Sequence, residues 1–293
     1  MVKKKRLVSD SVTLFVRVTW LVCFVVGSMV LYSAFRREEQ AYNRLFAEQE
    51  KKFEFKAVHV ACSPKYLRDI SNYPGCKPKK CGRYVMDNVV TSNEVDVMLN
   101  LVRRGLSFGG SSGGASILDL HTGAMSKGVH FVNLYKLQSP DKLFKVSELQ
   151  VYKKVREKIQ NALASKFGIL PNKVYLTKPT FFSRLTNKPP LSGNDEYWHP
   201  HIDKETYPSF HYTTLLYLND YGIDFNGGQF NFLEKGNSTS AVQPKKGRVL
   251  LFTSGHENMH FVERVTHGVR FAITISFTCD PKEAIPDPST KLR

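Results

Sequence analysis

His201-Ile202-Asp203 is the first pairing in this chain that could do chemistry. Side chains at i and i+2 of a strand point to one face, so an imidazole and a carboxylate there could grip one metal ion. Alone, the pair reads more readily as a polar strand end. His260 follows 57 positions after Asp203, and Arg270 ten positions after that. Two histidines and one carboxylate leave open positions on iron(II), the donor set of non-haem oxygenases. Three protein ligands leave room for a bidentate 2-oxo acid and for O₂. An arginine further along can grip the distal carboxylate of that acid with its planar fork.

The strand after Arg270 fits this reading. Arg270, Ala272, Thr274 and Ser276 would share one face, and Phe271, Ile273, Ile275 and Phe277 the other. Small neighbours beside the arginine leave space for a bound acid, while the large residues pack outward. Other histidines compete for the third ligand position. His256 sits in the polar turn SGHEN and His267 beside a glycine in THG, so both read as loop residues. His199, two positions before His201, is the rival that would share its strand face.

These residues need a scaffold, and the text around them supplies one. From Lys173 onward KVYL, TFFSRL, YTTLLYL, GGQFNFL, GRVLLFT, MHFVERV and RFAITISF are short apolar or alternating runs broken by Gly, Asn, Asp and Pro. Many short strands at this spacing predict a sandwich or barrel. No comparable helices interleave them, which disfavours a doubly wound parallel fold. Upstream, Arg83–Val90 reads as a strand. Thr91 or Ser92 can cap a helix starting at Asn93, with Val95, Met98, Leu99 and Val102 on one stripe and Gly105 as its stop. Residues 141–167 read as a long helix carrying Leu149, Tyr152, Val155, Ile159 and Leu163 inward, ended by Gly168. The glycine-rich stretch 109–114 lacks a phosphate-loop lysine and reads as a flexible loop.

The segment from Tyr197 to Pro281 resembles the catalytic core of the prolyl 4-hydroxylase-like class of Fe(II)/2-oxoglutarate-dependent oxygenases. YTTLLYLND, GGQFNF and VQPKKGRVLLFTSGHENMHFVERVTHGVRFAITISFTCDP carry the resemblance, and they are similar to the matching part of collagen prolyl 3-hydroxylases. The likeness extends over roughly residues 82–285, with EYWHPHIDK and TFFSRL contributing. It implies a mainly β, α+β fold: a double-stranded β-helix, or jelly roll, with flanking helices. It implies iron(II) on His201, Asp203 and His260, with 2-oxoglutarate and O₂ as cosubstrates and ascorbate as the accompanying reductant. Arg270 matches the residue that binds the 2-oxoglutarate carboxylate, and Tyr217 matches a tyrosine that bonds the same group. Ser183 departs from the pattern, since many relatives have tyrosine there. A peptidyl proline or lysine is the implied substrate. The alternative is a catalytically silent binding module on the same scaffold, whose mark would be loss of a ligand or of the arginine; neither is lost.

Composition sets the surroundings. Apolar residues make up 42% of 293, which excludes global disorder, and the formal charge of +16 raises nucleic acid or a membrane surface as partner. No nucleic-acid-binding motif occurs, so the charge reads as a basic face plus a basic membrane flank. A nucleic-acid demethylase would also suit the charge, but an anchor argues against it. Val18–Phe35 is uncharged over 18 residues, preceded by Lys3, Lys4, Lys5, Arg6 and Arg17. That predicts a signal anchor with a cytosolic tail at 1–17, a span at 18–35 and the rest in the lumen of the endoplasmic reticulum or Golgi, as a type II single-pass protein. A cleaved signal peptide is the rival, and no small-x-small site precedes Arg36. The charged residues 38–56 read as a helical stem, and 36–81 altogether as stem and neck. A support region is expected at 82–176, the oxygenase core at 177–285, and a tail at 286–293. Cys62, Cys76, Cys81 and Cys279 could form two disulfides in three pairings, or remain free thiols. Asn237-Ser238-Thr239 is an N-glycosylation sequon in a polar turn. A protein or peptide substrate is the expected partner, and the sequence leaves the oligomeric state open.

Overall fold

The computed structural model describes residues 15–33 and 43–289. Two compact units divide the chain: residues 45–234 with 240–293, and residues 1–44 with 235–239. In the smaller unit, α1 (Phe15–Ser33) is a 19-residue helix, exposed throughout and long and apolar enough to cross a membrane. The sequon asparagine closes a 3-10 turn, Lys235–Asn237. The basic run before residue 15 and the charges at Arg36–Glu39 lie outside the described residues.

The remaining elements in chain order are β1 (Asn43–Ala47), β2 (Lys56–His59), α2 (Pro64–Ile70), β3 (Gly82–Met86), α3 (Ser92–Leu106), β4 (Gly110–Ser111), β5 (Ala115–Leu118), β6 (Ala124–Gly128) and β7 (His130–Asn133). Then come α4 (Leu134–Leu137), α5 (Pro140–Leu143), α6 (Val146–Phe167), β8 (Tyr175–Thr186), α7 (Asp203–Thr206), β9 (Tyr212–Tyr217), β10 (Phe225–Gly227), β11 (Phe230–Leu233), β12 (Thr239–Val242), β13 (Val249–Thr253), β14 (His260–Val262) and β15 (Val265–Thr278). The larger sheet runs β2-β3-β13-β9-β15-β8-β5-β6-β4, with β10 on β15 and β7 on β6; the smaller runs β1-β12-β11-β14.

Alternation along the strands decides what each face buries. Phe46, Phe230, Phe232 and Val242 of the smaller sheet meet Leu215, Tyr217, Leu250, Phe252 and Ala272 of the larger, so the two sheets close on an apolar interior. Phe271, Ile273, Ile275 and Phe277, the opposite face of β15, pack instead with Val95 and Met98 of α3 and Tyr152, Val155 and Ile159 of α6. The result is the expected jelly roll with flanking helices, and β15 serves both of its layers.

Several local expectations change. Of the helical stem expected at 38–56, residues 38–42 lie outside the described residues, and 43–56 are not helical: β1 forms and β2 begins there, because Phe46 and Ala47 find an apolar interior and Lys56–His59 pairs with β3. The larger compact unit accordingly takes in residues from 45 onward, including most of the stretch expected as stem and neck. Two disulfides fix the neck, Cys62–Cys81 and Cys76–Cys279, the second tying it to the end of β15. Thr91 caps α3 in a capping box with Glu94. Gly105 does not stop α3; a Cβ there would collide with Leu118 Cδ2, so the glycine lets the helix approach β5. The long helix is broken into α5 and α6 at Phe144–Lys145, with its five inward residues all buried, and Gly168 caps α6 in the left-handed region. The glycine-rich loop is pinned: Asp195 Oδ1 accepts Ser111 Oγ at 2.8 Å and the Ala115 amide at 3.2 Å.

Candidate active site

The two histidines come together through the backbone. The His201 and His260 amides each donate to the other's carbonyl, at 2.9 and 3.0 Å, forming a one-residue antiparallel bridge at the start of β14. Immediately after it the chain turns into α7, which begins at Asp203. The carboxylate therefore comes from a bridge-to-helix junction rather than from the continuous strand the sequence predicts. His201 Nε2 and His260 Nε2 both lie 3.6 Å from Asp203 Oδ1, and one donor atom from each of the three residues falls within 4.8 Å of the others.

Each donor is aimed by a neighbour. His201 Nδ1 bonds the His199 carbonyl at 3.0 Å, and His260 Nδ1 the Asn258 carbonyl at 2.8 Å. A carbonyl only accepts, so both Nδ1 atoms carry the proton and both Nε2 lone pairs point at the gap. Burial drives the His260 imidazole down to about 4, against the opposing pull of Asp203, so its lone pair is free at neutral pH. Asp203 Oδ2 accepts Thr213 Oγ1 at 2.6 Å, and Thr213 in turn meets Ser254 Oγ at 2.9 Å, leaving Oδ1 for an ion. Phe230 stacks on the His260 ring at 4.7 Å and Phe252 lies 5.1 Å away, which keeps water off that side. The site opens on the other side: the His201 side chain is 42% exposed and that of His260 only 4%.

Arg270 lies on β15 with the interior-facing residues, fully buried. Its Nε and Nη2 have no hydrogen-bond partner, and neither does the buried hydroxyl of Tyr217 on β9. The guanidinium carbon is 5.3 Å from the Tyr217 ring centre. Buried charge without a partner is costly, so these atoms mark a place for an anion that the protein does not itself provide. Burial pushes the Tyr217 hydroxyl up to about 12, opposed by the charges of Arg270 and Arg248, so it is a donor at neutral pH. Ser183 sits across from Ala272 on β8 and bonds the Ala272 carbonyl at 3.4 Å; it supplies no further donor to Arg270. The donor set fits iron(II), and the buried cation with its phenol fits the carboxylate of 2-oxoglutarate.

The competing histidines lie elsewhere. His199 is exposed and bonds Glu196 at 2.8 Å, His256 bonds Glu205 at 2.8 Å, and His267 is exposed on β15 opposite Asn226. The sequence points to Tyr217, but not to the bond from Thr213 to Asp203. It misses Ser254 and Asn258, for which only the folded chain gives a signal.

Comparison with known proteins adds a family and relatives. The 2OG-Fe(II) oxygenase superfamily model matches residues 188–278, a stretch containing all three candidate metal donors and Arg270. The mouse protein "2-oxoglutarate and iron-dependent oxygenase domain-containing protein 3" is 46% identical, covering 92% of this chain and 87% of that one. Its Xenopus tropicalis namesake is 52% identical, covering 79% of this chain and 73% of that one. Mouse prolyl 3-hydroxylase 1 is 30% identical over 70% of this chain but only 29% of its own length. Among solved structures, a Trichoplax adhaerens prolyl hydroxylase in complex with a hypoxia inducible factor peptide covers 75% of this chain and 95% of its own, at 19% identity and a TM-score of 0.48.

Proposed function

We propose, given that this chain belongs to the 2OG-Fe(II) oxygenase superfamily, that it is a membrane-anchored hydroxylase of prolyl or lysyl residues in secretory-pathway proteins. The class itself is a dioxygenase using iron(II), 2-oxoglutarate and O₂. Iron(II) supplies the redox chemistry, in which O₂ and 2-oxoglutarate are consumed, succinate and CO₂ leave, and one oxygen enters a substrate C–H bond.

The chain's own residues do the rest. His201 Nε2, Asp203 Oδ1 and His260 Nε2 hold the ion, each kept in one orientation by His199, Thr213 and Asn258 respectively. Arg270 and Tyr217 take the distal carboxylate of 2-oxoglutarate. The observation that carries this reading is the buried, partnerless Nε and Nη2 of Arg270, facing an equally partnerless Tyr217 hydroxyl. Phe230 and Phe252 shield the ion from bulk water, and the exposed edge of His201 is where a substrate chain enters.

A peptidyl substrate is supported by the likeness to prolyl 3-hydroxylase 1, a protein named for that activity. The apolar α1, the two disulfides and the sequon at Asn237 support an anchored, lumenal enzyme of the endoplasmic reticulum or Golgi. Ascorbate is the reductant such an enzyme would use. Detergent-solubilised full-length protein with iron(II), ascorbate and labelled 2-oxoglutarate, with and without Pro- and Lys-containing peptides, tests this. Peptide-stimulated succinate release with a one-oxygen mass gain on the peptide is expected. Succinate release with no peptide stimulated or oxidised would overturn the peptidyl reading and leave the oxygenase class intact.

A further inference from the structure

Arg83 lies on β3, more than 100 residues before the family-matched stretch, and is 1% exposed. A buried guanidinium is stable only if its donors are used, and here they are. Nε donates to Asn258 Oδ1 at 2.7 Å, Nη2 to the Glu257 carbonyl at 3.2 Å, and Nη1 pairs with Glu234. Its face lies 4.0 Å over the Phe232 ring. Phe232 lies on β11 and Glu234 directly follows it, while Glu257 and Asn258 lie in the turn leading into β14; these two strands carry Phe230 and His260.

Asn258 is the link. Its side-chain amide is used completely, with Oδ1 taken by Arg83 and Nδ2 donating to the Thr253 carbonyl and Oγ1 at 2.7 and 2.9 Å. Its own carbonyl accepts His260 Nδ1 at 2.8 Å. The Cys62–Cys81 disulfide holds both flanks of this arrangement, since the Ser63 amide donates to Glu257 Oε2 at 3.1 Å and Arg83 follows Cys81 by two residues.

We propose that Arg83 is a positioning residue of the metal site: it fixes Asn258, whose carbonyl holds the His260 ring with Nε2 aimed at the ion. This rests on the reading that His201, Asp203 and His260 bind iron. Arg248, the other fully buried arginine with an acidic partner, is the internal contrast. It pairs with Asp87 at 2.8 Å and bonds the carbonyls of Glu48, Gln243 and Lys51, and none of these is a candidate donor or one of the residues bonded to a donor's side chain. Three roles for Arg83 predict different signs. Removing a cation near a metal site should tighten cation binding if charge is what matters. A structural staple alone should leave binding unchanged. Positioning through Asn258 should weaken it.

The test is Mn(II) titration, followed by electron paramagnetic resonance, of metal-free full-length protein in detergent, with melting temperatures and Co(II) visible spectra alongside. Arg83→Met is expected to weaken Mn(II) binding by about tenfold or more, the usual cost of disturbing a residue behind a metal ligand. Arg83→Lys, which keeps the charge but not the fork, should fall between. Both should shift the Co(II) spectrum, while Arg248→Met should lower the melting temperature with Mn(II) affinity and Co(II) spectrum unchanged. Equal or tighter Mn(II) binding in Arg83→Met, or equal weakening in Arg248→Met, would overturn the inference. If Arg83→Met does not fold, wild-type affinity and spectrum in Arg83→Lys would overturn it instead. Wild-type protein that binds no Mn(II) would overturn the metal-site reading, and the inference with it, and is distinct from every other outcome.

Discussion

The Arg270 guanidinium faces the Tyr217 ring at 5.3 Å, and both side chains keep buried polar atoms that no protein group satisfies. A carboxylate between them would use those atoms at once. Arg270→Ala should therefore weaken 2-oxoglutarate binding by about 1.5–3 kcal/mol, the value of a hydrogen bond to a charged group. That is roughly a ten- to hundredfold rise in Kd. Arg270→Lys should be intermediate and Tyr217→Phe milder. Calorimetry on Mn(II)-loaded protein measures this, and Mn(II) affinity should stay near wild type. Wild-type 2-oxoglutarate affinity in Arg270→Ala would remove Arg270 from the site.

Three donors leave no redundancy. His201→Ala, Asp203→Ala and His260→Ala should each reduce Mn(II) or Fe(II) binding severely. His199→Ala, His256→Ala and His267→Ala should not, because those rings are exposed and two of them bond surface glutamates. Loss of metal in His256→Ala with retention in His260→Ala would show the third donor to be misassigned.

What the sequence reveals of this site is what period and spacing carry. The alternation on β15 separates Arg270 and Ala272 from Phe271 and Ile273, and the folded chain places these on its two layers as the pattern requires. The His-x-Asp pair is legible by spacing, though the backbone reaches it through a bridge and a helix start. The rest depends on partners far along the chain. Arg83 finds Glu234 and Asn258 at separations of 151 and 175 residues, and no local pattern announces either. The disulfide pairing is equally remote, since Cys76 and Cys279 stand 203 residues apart. Within the stem expected at 38–56, the described residues 43–56 misread because their charge suits a helix, while β1 pairs with β12, almost 200 positions later in the chain.

Anchoring and orientation are tested together. Full-length protein should resist carbonate extraction from membranes, and a glycosidase-sensitive mass shift should disappear in Asn237→Gln, the asparagine of the Asn237-Ser238-Thr239 sequon. Digestion of the C-terminal domain by protease added outside intact microsomes would reverse the proposed topology.

Acid should loosen the support helices before neutral pH does. Burial would raise the Glu94 carboxyl, but the Lys158 ammonium 2.8 Å away, the Thr91 amide and hydroxyl, and Lys154 outweigh it and hold the group at about 2. The unfolded carboxyl titrates near its ordinary value, so the unfolded chain binds the extra proton below about pH 4.5. The stabilisation is therefore complete above that pH and is lost as pH falls toward 2. Glu94→Gln should be destabilising at pH 7 and much less so at pH 3. Urea unfolding of both proteins at the two pH values measures it, and a difference that does not shrink would show that Lys158 contributes nothing through charge.

Thr213 offers the sharpest test of how Asp203 is held. Its hydroxyl donates to Oδ2 at 2.6 Å from the neighbouring strand β9, so the carboxylate is fixed from behind while Oδ1 faces the histidines. Valine keeps the branched shape and removes only the hydroxyl, so the interior should stay filled. The buried carboxylate then lacks its donor and is free to rotate, and Mn(II) affinity should fall by about tenfold. Thr213→Ser restores a hydroxyl at the same branch point and should recover most of that loss. Ser254→Ala, one bond further out, should cost less than Thr213→Val. 2-Oxoglutarate affinity measured at saturating Mn(II) should not change, since Arg270 and Tyr217 are untouched. Wild-type Mn(II) affinity in Thr213→Val would mean that the ion alone orients Asp203, and that the threonine bond is incidental to the site.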